Sequence, residues 1–171
     1  KEGIELIEVK NVVKSLHGKT VLRNMSFTVD RGEAVALLCP DEAVLTTLLD
    51  LLSGVETADS GQIVVLGEVL EEGITGPKNR IGYMPARPPL YREMTIRGYL
   101  KFLLDAWGTP QREGVDRIAR VLTLTDLSAL ADAPIRSLST GVHRFLSLAQ
   151  ALIQDPEILL IDKATALLDA K

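Results

Sequence analysis

Ala34-Val35-Ala36-Leu37-Leu38-Cys39-Pro40-Asp41-Glu42-Ala43-Val44-Leu45-Thr46-Thr47-Leu48-Leu49-Asp50-Leu51-Leu52-Ser53-Gly54 is the stretch from which the fold is read. Its first five residues form a short continuous apolar run, the composition of a strand buried on both faces, so a central parallel strand is predicted over 34–38. A loop from Cys39 to Val44 follows. Leu45 to Leu52 then carry a helical pattern, closed by Ser53-Gly54. Strand, loop and helix in that order make a unit of the phosphate-loop kind.

On the N-terminal side, Ile4 to Val9 and Val21 to Val29 alternate apolar and polar residues, the period of strands with one face on a core. They predict an antiparallel edge sheet. Beyond Gly54, the turn Asp59-Ser60-Gly61 leads into a strand over 62–66, a Gly- and Glu-rich hairpin region runs to Pro77, and Ile81 to Pro85 reads as a short buried strand. Thr95 caps a helix that ends at Trp107-Gly108, and Thr109-Pro110 opens a second with Pro at its first position. Val115, Ile118, Ala119, Val121 and Leu122 mark that helix's apolar face. Tyr99, Phe102 and Trp107 fall at helical spacing and are expected in the core. A short helix around 127–131 completes an all-helical segment, read as a subdomain over 87–136 inserted between α/β core stretches 1–86 and 137–171. Leu138-Ser139-Thr140-Gly141 precedes another helix, and Ile158 to Ile161 is a buried strand with Asp162 at its C-terminal end, where open α/β sheets place ligands.

Composition narrows the classes. The 171 residues carry 19 Lys and Arg against 23 Asp and Glu, a net charge of −4, which argues against a surface built to neutralise nucleic-acid phosphates. A single cysteine, Cys39, leaves no intramolecular disulfide and no thiolate metal cluster, and suits a reducing compartment. Cys39 is expected as a small buried residue at a strand end. No apolar run approaches the ~20 residues that span a bilayer, and no leader is legible at Lys1.

With these elements in order, the chain resembles the ATP-binding domain of ABC transporters over essentially its whole length. The resemblance is carried by Leu90 to Leu100, by Leu138-Ser139-Thr140-Gly141, and by Leu148 to Leu152 continuing through Asp155 to Asp162. These stretches look most like the exporter branch. The resemblance implies a P-loop NTPase-like α/β fold with an antiparallel edge sheet and an inserted helical subdomain, in a chain that stops at Lys171 before the strand that carries the family's switch histidine. It also implies ATP and Mg²⁺ as cofactors, a membrane-spanning transporter subunit and a second nucleotide-binding subunit as partners, and a cytoplasmic place at the inner face of the membrane.

The family's motifs map unevenly onto this sequence. Its phosphate loop, G-x-x-x-x-G-K-[ST], uses glycines to close backbone N–H groups on phosphate, a lysine to reach the β and γ groups and a hydroxyl to ligate Mg²⁺. Cys39 and Val44 stand at the glycine positions and Leu45 at the lysine, so of the loop only Thr46, with Thr47 after it, fits. Asp41 and Glu42 add two carboxylates, each costing about 3 kcal/mol against a like charge at ~5 Å in an effective dielectric near 20. Asp162 matches the residue that holds Mg²⁺ through water, whereas Lys163 replaces the glutamate that polarises the attacking water, and a charged ammonium accepts no proton. Ala86 replaces the γ-phosphate-sensing glutamine, Ala164 stands at a usual proline, and Asp169 keeps the aspartate of the D-loop. His17, before Gly18, aligns with the aromatic that stacks on adenine, with an exposed turn histidine as its plainer reading. Ser139, Gly141 and the helix they open present donors to an anion, and in the family they face the nucleotide of the opposite subunit. An ordinary Ser-capped helix start reads equally from the residues alone. Lys163 reads either as a surface lysine paired with Asp162 or Asp169, or as a substitute for the missing loop cation.

The expected function is an ABC-type ATP-binding domain whose phosphate loop and catalytic carboxylate are degenerate, a binding and assembly partner in an export system with little or no hydrolysis of its own. An active ATPase energising an exporter and a nucleotide-independent docking module are the alternatives.

Overall fold

The computed structural model describes residues 5–70 and 80–163. The chain divides into two compact units, Lys1–Ile81 and Gly82–Lys171, each with its own interior.

In the first unit, β1 (Glu5–Leu16) and β2 (Lys19–Asp30) form the expected antiparallel pair. The turn between them is His17-Gly18, both at positive φ (50° and 78°), the two-residue geometry whose twist matches the flanking strands. On its other side β1 pairs antiparallel with β3 (Ser60–Val65), which turns back into the short β4 (Glu68–Val69), giving the order β2-β1-β3-β4. Val9, Val12, Leu22, Ile63 and Val65 bury the apolar face that the alternation predicts. The register slips beyond Val9, beside Asn11, whose φ of 49° marks a bulge. Lys14 is the polar exception on the buried face. Its ammonium is held by the Glu56 carboxylate (3.0 Å) and the Thr57 carbonyl (2.7 Å), which fastens the 55–59 segment to β1.

α1 (Glu42–Leu52) buries Leu48, Leu49, Leu51 and Leu52 and packs against β2. It starts three residues before the predicted Leu45. The strand predicted over 34–38 is not formed: these residues have no ladder partner among the described residues, Val35 is 53% exposed and Leu38 94%. An apolar run becomes a central strand only where strands flank it on both sides, and its composition says nothing of whether they do. Cys39, expected buried at that strand's end, is half-buried in the turn that leads into α1.

In the second unit, β5 (Ile81–Met84) pairs with β6 (Ile158–Ile161), and the N–H of Asp162 carries the pairing one residue further by donating to the Met84 carbonyl at 2.9 Å. Between them lie α2 (Ile96–Ala106), α3 (Gln111–Leu124), single 3₁₀ turns at Ser128–Leu130 and Ile135–Ser137, and α4 (Thr140–Leu152). Thr95 caps α2 as predicted, its hydroxyl accepting the N–H of Gly98 at 3.0 Å. Pro110 sits at the cap of α3, one residue before the expected first position.

Ile96, Leu100 and Leu104 of α2 meet Ile118, Val121 and Leu122 of α3, then Leu127 and Ile135, and finally Leu146, Ala149 and Ile153 around α4. Each such apolar side chain contributes about 1.5–3 kcal/mol by leaving water, so this cluster is the main support of the unit. Tyr99 joins it and donates its hydroxyl to Gln150 Oε1 at 2.7 Å. Phe102 and Trp107, expected in the core, are 41% and 49% exposed. The spacing that buries Leu100 and Leu104 turns Phe102 outward, where it meets Tyr91 edge-on at 5.4 Å. Val115 likewise lies outside. No helix of the described residues is long and apolar enough to cross a membrane.

Candidate functional site

The phosphate-loop positions lie in the first unit, and their local structure follows from one side chain. Asp41 adopts an extended cap conformation (φ −96°, ψ 106°), and its carboxylate accepts the N–H of Ala43 at 3.0 Å. A carboxylate at a helix start satisfies donors that the helix cannot and meets the positive end of its dipole. Glu42, in the first turn, has the same favourable sign. The helix therefore starts early, and Val44, Leu45 and Thr46 are helical residues, each half-buried. The open loop expected from Cys39 to Val44 is reduced to the segment before Glu42. Thr47 is buried and donates its hydroxyl to the carbonyl of Ala43 at 2.6 Å, a bond within its own helix. His17 is exposed at the tip of the β1–β2 turn.

The second unit gathers more of the predicted residues. Ser139 caps α4 in an extended conformation, its hydroxyl accepting the N–H of Val142 at 3.3 Å and its carbonyl the N–H of His143 at 3.0 Å. Ser139 and Thr140 are exposed and Gly141 half-buried, so the N-terminal turn of α4 reaches the surface. The ring of His143 is tied back to the Ile135 carbonyl (Nε2 to O 2.9 Å). Asp162 is buried at the end of β6, and Lys163 follows it, exposed, with φ 57°. Ala86 is half-buried two residues past β5.

A residue that the sequence analysis passes over brings these together. Arg144, 7% exposed on α4, donates through Nη1 to the carbonyls of Pro85 (3.2 Å) and Ala86 (2.8 Å). Nη2 donates to the carbonyls of Asp162 (2.9 Å) and Lys163 (3.0 Å), while buried Nε has no partner among the described residues. A buried charge is tolerated only when its donors are satisfied, and here four carbonyls share the task. The signal was present: Arg144 lies at helical spacing from Ser147 and Ala151, both buried, and an arginine on a buried stripe announces a hydrogen-bonded cation. Thr46 and Asp162, the expected Mg²⁺ residues, lie in different units. Among the described residues no group of three or more His, Cys, Asp or Glu side chains gathers. Ala164 and Asp169 lie outside the described residues.

The model of the family described as ABC transporter matches residues 22–166, a span that runs from within β2 through β6. The chain belongs to the ABC transporter family. As an ABC-type ATP-binding domain it is 39% identical over 95% of its length to a Nod factor export ATP-binding protein of Sinorhizobium fredii, of which it covers 48%. It is 36% identical to a sulfate/thiosulfate import ATP-binding protein of Pseudomonas syringae pv. tomato (96% of this chain, 52% of that one). Among solved structures, cbiO1 of Clostridium perfringens superposes with a TM-score of 0.81 at 23% identity, over 95% of this chain and 67% of that one. This ABC domain thus has the P-loop NTPase fold expected of it, and it spans about half the length of the curated relatives it matches. The relatives include an importer as well as exporters, so the match by itself does not separate the branches.

Proposed function

We propose that this ABC-type domain serves an export system as a binding and assembly partner, with little or no ATP hydrolysis of its own. One observation carries the reading: the carboxylate of Asp41 closes the start of α1, where an anion would otherwise meet backbone N–H groups. With Val44 and Leu45 inside the helix and Leu45 carrying no charge, the loop does not fit a triphosphate held in cis. Lys163 in place of the water-polarising glutamate and Ala86 in place of the sensing glutamine oppose hydrolysis a second time, since losing such a group costs several kcal/mol of transition-state stabilisation.

The partners are a second, intact nucleotide-binding subunit and a membrane-spanning subunit at the inner face of the membrane. Ser139, Gly141 and the N–H groups of the first turn of α4 meet ATP and Mg²⁺ held by the intact subunit, while Thr46 and Asp162 keep only remnants of this chain's own metal site. The relative named for Nod factor export, at 39% identity, favours an exporter.

The experiment is a titration of the chain with Mg²⁺ and a fluorescent ATP analogue, beside the triple variant Val44→Gly, Leu45→Lys, Lys163→Glu. The expected result is no binding below millimolar by the native chain and tighter binding by the variant. Micromolar binding by the native chain overturns the degenerate loop and leaves at most a loss of hydrolysis.

A further inference from the structure

Arg144 has no role in the function proposed above, yet among the described residues of the second unit it is the most deeply buried cation and its bonding is specific. Each arm of the guanidinium serves a different strand. Nη1 takes the two carbonyls that follow β5, those of Pro85 and Ala86, and Nη2 takes the two that follow β6, those of Asp162 and Lys163. The stem of the same side chain rises from α4 one turn after Ser139 and Gly141.

We infer that Arg144 is a positioning residue whose planar fork locks the exits of β5 and β6 to each other and to the N-terminal turn of α4.

These four carbonyls lie just past the ends of a two-stranded ladder, and each accepts an N–H of the same guanidinium. One guanidinium offers five N–H donors in one rigid plane, which lets it satisfy two chain segments at once; an ammonium on a flexible stem is a point donor and cannot span both pairs with the same geometry. The bonds are charge-assisted, at 2.8–3.2 Å. The positive φ of Lys163 turns its carbonyl back toward α4 and is the kind of sparsely populated conformation that persists only where surrounding bonds hold it.

The consequence concerns two of the positions where an expected family side chain is replaced, Ala86 and Lys163. Their side chains have changed, but their backbone carbonyls are both held by one residue, so the site's frame survives the loss of its chemistry. α4 then presents Ser139 and Gly141 from a fixed base. That last step rests on the proposed reading of Ser139 and Gly141 as the face offered to a partner's nucleotide; the locking itself does not.

The test is hydrogen exchange, resolved by residue, on the full chain as native protein, Arg144→Lys and Arg144→Met. The reporters are the N–H of Asp162, bonded to Met84, and those of Val142 and His143, bonded to Ser139, with Leu104 and Val121 as internal references for the helical core. In the native chain the Nη protons of Arg144 give separate, slowly exchanging resonances. In Arg144→Met the reporters at Asp162, Val142 and His143 speed up together by about tenfold or more while the references hold, because charge-assisted bonds have been lost locally. In Arg144→Lys the same three reporters also speed up while the references hold, though by less than in Arg144→Met. Native-like exchange in Arg144→Lys overturns the inference, since any cation would then suffice, and so does acceleration of reporters and references alike in both variants, which marks general destabilisation. If Arg144→Met unfolds outright, the selective acceleration in Arg144→Lys decides. Micromolar binding of the fluorescent ATP analogue by the native chain would remove the reading of the loop and leave this exchange pattern as it is.

Discussion

The carboxylate of Asp41 accepts the backbone N–H of Ala43 at 3.0 Å, and this bond sets where α1 begins. Replacing Asp41 with alanine removes the cap and the favourable charge at the helix start, and is expected to cost about 1 kcal/mol. Asp41→Asn keeps the accepting oxygen and should cost a few tenths of a kcal/mol at most. Urea unfolding of the three proteins measures both differences; an alanine variant as stable as the native chain would remove Asp41 as the organiser of this helix.

Alkaline pH should weaken the second unit through Tyr99. Its side chain is buried, and burial pushes its phenol from the ordinary 10.0 up to about 12, with the neighbouring Tyr91 acting in the same direction. The folded state thus keeps a proton that the unfolded chain releases. The resulting stability is complete below pH 10 and is lost as pH rises from 10 through 12. Tyr99 should titrate late in the 295 nm absorbance of the folded chain. In Tyr99→Phe the late step disappears and stability falls less between those pH values. A single tyrosine transition near 10 in the native chain would contradict this account.

Gly82 cannot carry a side chain. A Cβ there would lie 2.2 Å from the carbonyl oxygen of Ala151 and 2.8 Å from Cγ of Pro156, so β5 and the end of α4 would have to separate. Backbone against backbone has no rotamer by which to yield. Gly82→Ala is expected to lose about 3 kcal/mol or more, enough to broaden or abolish a cooperative thermal transition, whereas Gly108→Ala, with open space around it, should suffer only the strain of its positive φ (72°). Equal melting temperatures for the two variants would refute the close-approach argument.

Much of this architecture was legible because its causes are local. Alternation in β1 and β2, the Thr95 and Ser139 caps and the terminating Gly108 all act within a few residues of where they are read. The apolar run Ile158 to Ile161 also places Asp162 at a strand's C-terminal end, where the structure has it. Three things were hidden for distinct reasons. The run 34–38 is apolar enough for a central strand, but a strand is made by its neighbours, and these residues have none among those described. The start of α1 was announced by Asp41 followed by Glu42, a capping sequence, but reading the stretch as a phosphate loop masks that signal. Arg144 depends on carbonyls roughly 20 and 60 positions away in the chain, and no local pattern encodes partners at such separations.

Ser147 shows the cost of a polar group with no such partners. Its side chain is fully buried on α4, one turn beyond Arg144, and its hydroxyl has no hydrogen-bond partner among the described residues. A buried hydroxyl that recovers no bond sacrifices its hydration for nothing, about 1–3 kcal/mol by mutational measures. Ser147→Ala removes the hydroxyl at the expense of a cavity smaller than a methyl group and adds helix propensity. The variant should therefore be as stable as the native chain or more so, by up to about 1 kcal/mol in urea unfolding. Ser147→Val, which adds volume and a branched Cβ to a helix packed without slack, should instead destabilise. If alanine destabilises by as much as valine, the hydroxyl has an acceptor in solution and α4 sits differently on its neighbours.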